Sequence, residues 1–386
     1  MIVERKILNA IKVLGTKYPI IAVTGPRQSG KTTLLRAAFP DYQYVSLETP
    51  DIRSFALSDP RGFLEQYSQY VIFDEIQRAP ELFSYLQTIV DNSRIMGQFI
   101  LSGSQNFHLM QHITQSLAGR VAIFKLFPFD FDELKSVGLL NDNYIENIVR
   151  GFYPALYDRG ISSQVFYSNY IQTYVQRDVS ELIAIKDMRA FRNFLGLCAT
   201  RAGHLLNLSS LANECGISQP TAKAWLSALE TGYVVFLLYP YYENFSKRIV
   251  KTPKLYFYDT GLLCHLLKLN NSEMIISHPV KGNLFENMMI AEYVKKMHHY
   301  NTPNDIWFWR DASGNEIDLL IQSPPKLELV EFKATQTITP DLFKGLNYFE
   351  SLAKNIILTK TLVYGGKEEQ TRNVGRVCSW KDFTLL

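Results

Sequence analysis

Gly25-Pro26-Arg27-Gln28-Ser29-Gly30-Lys31-Thr32 is the stretch on which the reading of this chain turns. Its pattern is G-x-x-x-x-G-K-[ST]. It follows a short apolar run, Ile20–Thr24, and opens a segment of helical character, Lys31–Ala38. Glycines let successive backbone N–H groups turn inward around an anion, and a helix start adds partial positive charge. One ammonium (Lys31) and one hydroxyl (Thr32) follow the loop directly. The pattern predicts a cradle for a Mg²⁺-bound polyphosphate, and so ATP with Mg²⁺ as the ligands. Residues Gly25, Pro26, Arg27, Gln28, Ser29, Gly30, Lys31, Thr32 and Thr33 are expected to line it.

Further along, Tyr70-Val71-Ile72-Phe73-Asp74-Glu75 is an apolar strand ending in two carboxylates. Asp74 is expected to hold the Mg²⁺ water shell beside Thr32, and Glu75 to polarise the attacking water. A second carboxylate next to the metal-binding one favours water over a small-molecule phosphate acceptor. Gln98-Phe99-Ile100-Leu101-Ser102-Gly103-Ser104-Gln105 is another buried strand with a polar tip, so Ser104 or Gln105 is placed to sense the γ-phosphate. Arg120 precedes the next apolar run and is a candidate for transition-state charge, from its own chain or from a neighbour. Apolar runs at 20–24, 44–47, 70–74, 98–102 and 121–126 alternate with helical segments, one of them at 80–93. Continuous apolar strands separated by helices predict an α/β class with a parallel sheet covered on both faces.

The whole chain has 386 residues, enough for two or three domains. With 47% hydrophobic and 20% charged residues it has the balance of a globular protein with substantial cores. Lys plus Arg is 40 against 37 for Asp plus Glu, a net charge of +3, so any basic nucleic-acid surface has to be local. Cys198, Cys215, Cys264 and Cys378 form no C-x-x-C pair, which fits reduced thiols better than zinc or disulfides. The start lacks the apolar core of a signal peptide. The apolar stretch at 233–242 is too short to cross a bilayer and contains Pro240. No membrane association and a cytoplasmic location are expected.

These motifs resemble the AAA-type ATPases that carry a C-terminal DUF4143 domain. The resemblance rests on Gly25–Thr32, on Val71-Ile72-Phe73-Asp74-Glu75-Ile76-Gln77-Arg78-Ala79-Pro80, on Leu101-Ser102-Gly103-Ser104-Gln105 and on Leu117-Ala118-Gly119-Arg120. It continues through Arg177-Asp178, Tyr258-Asp259-Thr260-Gly261 and Gly282-Asn283-Leu284-Phe285-Glu286. It covers nearly the whole chain and implies a P-loop ATPase, a winged helix and a nuclease-like end. The expected boundaries are 1–135 for the ATPase domain, 136–205 for a helical region, 206–255 for the winged helix-turn-helix and 256–386 for the nuclease-like domain.

In the middle, Leu208-Ser209-Ser210-Leu211-Ala212-Asn213-Glu214-Cys215 reads as a short helix capped by Ser209. Gly216-Ile217-Ser218 is a turn and Gln219–Thr231 a second helix, with Pro220 tolerated in its first turn. Ala222, Trp225, Leu226 and Leu229 recur at helical spacing and face inward. Ser218, Gln219, Thr221 and Lys223 face outward, as the start of a recognition helix does in a major groove. A wing strand is expected near 234–239, and Lys247, Arg248, Lys251 and Lys254 after it are candidate phosphate contacts. The bland alternative is a packing or protein-contact module.

Near the C-terminus, Glu316-Ile317-Asp318-Leu319-Leu320-Ile321 reads as a strand, Ser323-Pro324-Pro325 as a turn and Leu327-Glu328-Leu329-Val330-Glu331-Phe332-Lys333 as the returning strand. Alternation puts Glu331 and Lys333 on one face, beside Asp318, with Glu286 added from a helix at 284–296. This resembles the PD-(D/E)xK nuclease core. The resemblance implies Mg²⁺ on Asp318 and Glu331, with Glu286 as a further ligand, and Lys333 orienting or activating water. Two whole-chain readings remain. One is an ATPase coupled to DNA binding and cleavage. The other is an ATP-dependent switch or scaffold for a protein partner or a second copy of the chain, with an inactive nuclease-like domain.

Overall fold

The computed structural model describes residues 3–104, 113, 116–175, 185, 187–241, 251–302, 304–353 and 356–383. The first layer is a five-stranded sheet. Its strands are β1 (Ile20–Thr24), β2 (Gln43–Ser46), β3 (Val71–Asp74), β4 (Phe99–Gly103) and β5 (Val121–Lys125). They are ordered β2-β3-β4-β1-β5 and every pairing is parallel. Helices α1 (Ile7–Gly15) and α2 (Lys31–Ala38) belong to the core on one face. Helices α3 (Pro50–Ser58), α4 (Pro60–Gln66) and α5 (Leu82–Ser93) belong to that on the other. All five residues of β1 and of β4 are buried, as a strand covered on both sides requires. The expected runs at 20–24 and 31–38 match the observed bounds, and the others shift by one or two residues.

A helical region follows: α6 (Phe131–Ser136), α7 (Tyr144–Arg150), α8 (Pro154–Asp158), α9 (Ser163–Tyr170) and α10 (Met188–Thr200). Next come α11 (Leu208–Cys215) and α12 (Gln219–Thr231), joined by Gly216 in the left-handed region at φ 65°, then an antiparallel ribbon of β6 (Val235–Leu238) and β7 (Lys254–Phe257). Asn207, not Ser209, caps α11, accepting the Ser210 N–H at 2.9 Å. The helix starts two residues earlier than a cap at Ser209 allows, because Leu208 and Ser209 already have helical geometry. Ser218 caps α12, and its hydroxyl also meets that of Thr221 at 2.8 Å.

Helices α13 (Thr260–Leu266), α14 (Ser272–Ile276) and the long α15 (Lys281–His299) lead into a six-stranded mixed sheet. Its strands are β8 (Asp305–Arg310), β9 (Glu316–Ser323), β10 (Lys326–Lys333), β11 (Ile357–Tyr364), β12 (Gln370–Arg372) and β13 (Gly375–Ser379), ordered β12-β13-β11-β10-β9-β8. Helix α16 (Lys344–Leu352) bridges the parallel pair β10 and β11. One face of this sheet (Leu319, Ile321, Val330, Phe332) shares a core with α15 and the helical region, and the other (Ile317, Leu320, Leu329) packs on α16. Opposite the single residue Phe308 of β8 stand two residues of β9, Asp318 and Leu319. This bulge turns both toward the face that α15 covers, where plain alternation would send one away.

A buried polar seam ties the five-stranded sheet domain to α15. Arg5 Nε meets Glu133 Oε1 at 2.9 Å, its Nη1 donates to the Ser29 carbonyl at 2.8 Å and its Nη2 to the Phe127 carbonyl at 2.6 Å. His299 Nε2 accepts the Phe127 N–H at 3.2 Å, so Nδ1 carries the hydrogen it shares with Asp130 at 2.7 Å. Thr24, the last residue of β1, meets the Tyr233 hydroxyl at the end of α12 at 2.9 Å. Among the described residues no helix is long and apolar enough to cross a membrane.

Candidate nucleotide site and a second carboxylate cluster

The loop after β1 is bent as the sequence requires. Gly25 has φ 144°, and a Cβ there would stand 2.1 Å from the Leu126 carbonyl oxygen, so only glycine fits. Gly30 is left-handed at φ 95° and stands at the N-cap of α2. Lys31 is buried and folds back over the loop, donating to the carbonyls of Gly25 and Pro26, each at 2.9 Å. Ser29 is fully buried, and its hydroxyl has no hydrogen-bond partner among the described residues.

Because β1, β4 and β3 are parallel neighbours, their C-terminal ends meet the loop on one edge of the sheet. Thr32 Oγ1 donates to Asp74 Oδ2 at 2.9 Å. Two further hydroxyls serve the same carboxylate: Tyr44 at 2.5 Å on Oδ2, and Ser102 on Oδ1. Burial, then the hydrogen bond to Asp74, raises the Tyr44 phenol above its ordinary range, so it stays a donor. Glu75 is left-handed at φ 54°, an uncommon conformation for a residue with a side chain. Its Oε2 accepts from Ser104 Oγ at 3.0 Å and from the Gln77 side chain. Asp74, Glu75 and Ser104 therefore converge beside the loop, as the sequence reading expects. Gln105 lies outside the described residues, as do Arg177, Asp178, Lys247 and Arg248.

A cavity of about 460 Å³ opens beside the loop, lined by Gln28, Gly30, Thr33 and Leu34 from the loop side. Val3, Leu8, Phe129 and Pro154 supply much of its apolar wall. Sequence reasoning missed it because its walls come from segments on both sides of the sheet domain. Tyr44 and Ser102 were missed as well. Their parallel register against Asp74 is the signal, but it needs the strand order to be known.

Arg120 is placed elsewhere. It precedes β5, and its carbonyl accepts from Ile20 N at 3.2 Å, at the N-terminal end of β1. The phosphate loop leaves the opposite end, about 16 Å away along the five-residue strand. Its guanidinium instead holds Asp91 at 2.6 Å on the surface. A role within the same chain is corrected: parallel pairing puts this end of β5 far from the loop.

At the C-terminal sheet, carboxylate oxygens of Glu286, Glu316 and Asp318 lie within 4.8 Å of one another. Glu286 comes from the first turns of α15 and the other two from β9. The Asp318 Oδ2 also accepts the Phe332 N–H at 2.9 Å, which anchors the bulge to β10. Glu331 and Lys333 share a face, as predicted, and form an ion pair at 2.6 Å, with Lys333 3.7 Å from Asp318. Burial, then the charge of Asp318, pushes the Glu331 carboxyl up to about 8. The close trio is not identical with the expected ligand set. Glu316, two residues before Asp318 on the same strand, joins the close trio. Glu331 is drawn to Lys333 instead.

Lys254 also departs from its expected role. It is only 2% exposed, so it is not a surface contact for phosphate. Its ammonium donates to Glu286 Oε1 at 2.8 Å and pairs with Glu316, while Arg310 holds the other Glu316 oxygen at 2.8 Å. Lys223, on α12, is exposed as expected. All four cysteines are unpaired.

Strand order, loop and paired strand-end groups together resemble the domain of a P-loop ATPase. Residues 17–135 match the family model described as an AAA domain, 141–273 the domain of unknown function DUF8612, and 281–383 the domain of unknown function DUF4143. The chain is thus similar to AAA-type ATPases that carry DUF4143. Among curated proteins it resembles the uncharacterized proteins Rv2008c of Mycobacterium tuberculosis and Mb2031c of Mycobacterium bovis. Each is 29% identical over 341 residues, covering 87% of this chain and 75% of the relative. Among solved structures it resembles the Walker-type ATPase paby2304 of Pyrococcus abyssi, at 16% identity and a TM-score of 0.45, covering 68% of this chain and 95% of that one. AMPPCP-bound DnaA from Aquifex aeolicus matches at 16% identity and a TM-score of 0.26, covering 58% and 85%.

Proposed function

We propose that this chain binds ATP with Mg²⁺ at residues 25–33 and hydrolyses it, and that its C-terminal half contacts DNA. The observation that carries the first part is the hydrogen bond from Thr32 to Asp74 at 2.9 Å, beside a glycine cradle holding the Lys31 ammonium. Lys31 exchanges its loop carbonyls for β- and γ-phosphate oxygens, and the Ser29 and loop amides take up the rest. Thr32 and Asp74 are the residues that would hold Mg²⁺, whose charge offsets that of the polyphosphate. Glu75 orients the attacking water, and Ser104 beside it reports the γ-phosphate. The apolar cavity between Val3, Leu34 and Pro154 suits the base.

Support for the DNA part is the pair of helices with its two-stranded ribbon, on which Gln219 and Lys223 are exposed. The C-terminal sheet adds a group of Asp318, Glu331 and Lys333, with Lys333 3.7 Å from Asp318 and 2.6 Å from Glu331. A second reading is favoured by Lys254, which fills the carboxylate cluster: an ATP-driven switch or scaffold for a protein partner, with an inactive nuclease-like domain. Measuring the ATPase rate with and without duplex DNA separates the two. Strong stimulation supports DNA coupling. A DNA-indifferent rate, with an oligomeric state that changes on adding nucleotide, supports the switch. For the DNA contact itself, Lys223→Ala should weaken duplex binding and flatten its salt slope by roughly one. An unchanged slope excludes it.

A further inference from the structure

The carboxylates near α15 raise a separate question: what balances their charge. Glu286, Glu316, Asp318 and Glu331 lie together, opposed by Lys254, Lys333 and Arg310. Four carboxyl groups thus face three cations. Lys333 and Arg310 approach from the rim and are about a third exposed, whereas Lys254 is 2% exposed and central. Without Lys254, four carboxyl groups would face only two cations at the rim, an acidic excess that suits a divalent cation.

The geometry agrees with the charge. Oxygen ligands of a small divalent cation sit about 2.1 Å from it, and so no more than about 4.2 Å from one another; oxygens already within 4.8 Å need only a small shift to meet that limit. Tyr256 OH, 2.5 Å from Glu286 Oε1, holds one ligand in place, and the bulge at Asp318 turns another inward. Glu331 adds an independent sign: its Oε2 is buried with no hydrogen-bond partner among the described residues. The lysine is itself pinned. It starts β7, and the preceding ribbon strand continues to Tyr239 and Tyr241, which exchange hydrogen bonds with Phe308 of β8. The ammonium lies 5.5 Å over the Phe308 ring.

We propose that Glu286, Glu316 and Asp318 form a divalent-cation site that Lys254 occupies and keeps closed. The ribbon of the helix-turn-helix region supplies the plug, and the ion enters only where Lys254 is withdrawn. The inference uses the carboxylates of the nuclease-like reading but none of its chemistry.

The test is a Mn²⁺ titration of the full chain without nucleotide or nucleic acid, read by electron paramagnetic resonance of free Mn²⁺. Wild type and Lys254→Arg should show no ion at this cluster. Lys254→Met should gain one, at least tenfold tighter than any wild-type binding, and Lys254→Met combined with Asp318→Asn should lose it. If Lys254→Met folds only with Mn²⁺ present, that also supports the site. If it folds in neither condition, Lys254→Ala, which leaves room for water, takes its place in the same titration. Wild-type binding as tight as that of Lys254→Met, removed by Asp318→Asn, would overturn the proposal, and so would no gain in the variant. Cleavage separates it from the nuclease reading. Wild-type cleavage with Mg²⁺ that Asp318→Ala abolishes would support the nuclease and contradict the plug. A Lys254→Met chain that binds Mn²⁺ but cuts nothing would do the reverse.

Discussion

Thr32 Oγ1 lies 2.9 Å from Asp74 Oδ2, joining the first turn of α2 to the end of β3 across forty-two positions of sequence. Tyr44 and Ser102 complete the set of hydroxyls on that carboxylate. The groups proposed to share Mg²⁺ are therefore brought together by the sheet itself before any ligand arrives. Such preorganisation lowers the cost of binding, because no strand has to move to assemble the site.

Glu75 is the water-orienting group in this account, held by Ser104 and Gln77 in a left-handed backbone. Glu75→Gln keeps the shape and removes the base. ATP affinity should be unchanged, and single-turnover hydrolysis should fall by roughly 10²–10⁴-fold. Equal hydrolysis rates in variant and wild type would exclude Glu75 from this role.

Arg120 sits at the wrong end of β5 to reach its own phosphate loop. Its effect should depend on self-association. Arg120→Ala should leave turnover unchanged at dilutions where the chain is monomeric, and lower it by roughly 10³-fold where subunits assemble. A large loss in the monomer, read against sedimentation of the same samples, would contradict the strand order.

Arg5 is 6% exposed and joins Glu133, the loop carbonyl of Ser29 and that of Phe127. Arg5→Met leaves Glu133 buried with one cation fewer. The expected cost is about 3–5 kcal/mol, visible as a lower urea midpoint. A midpoint matching wild type would mean that the seam contributes nothing to stability.

Burial pushes the Glu292 carboxyl up to about 7, although Lys295 and Lys296 stand 3.6 and 3.7 Å away. A carboxyl raised on folding holds its proton better in the folded chain. Stability should therefore be greatest below its unfolded value and decline as pH rises toward 7. The decline amounts to on the order of 3 kcal/mol for this group. Glu292→Gln, which mimics the protonated form, should match wild type near pH 4 and exceed it at pH 8. Thermal unfolding across that range checks the sign, and a variant weaker than wild type at pH 8 would reverse it.

The ATP loop and the carboxylates of β3 were legible in sequence because each is a local pattern: a glycine spacing, an apolar run, a polar tip. Ala222, Trp225, Leu226 and Leu229 are buried as their helical spacing implies. What escaped was set by distant pairing. Tyr44 gains its role from lying beside β3, and Arg120 loses one from the direction of β5. Asp318 is turned by a bulge that alternation does not foresee. Lys254 followed a stretch of surface-like cations, and only the fold reveals that it points into three carboxylates rather than toward water.

The most direct test of the account is isothermal titration of folded wild-type chain and Lys31→Ala with ATP in Mg²⁺. The wild type should release or absorb heat at one site per chain, and Lys31→Ala should lose most of that affinity while keeping its circular dichroism spectrum. A wild-type chain that binds no nucleoside triphosphate, or a Lys31→Ala chain that binds ATP equally well, would contradict it.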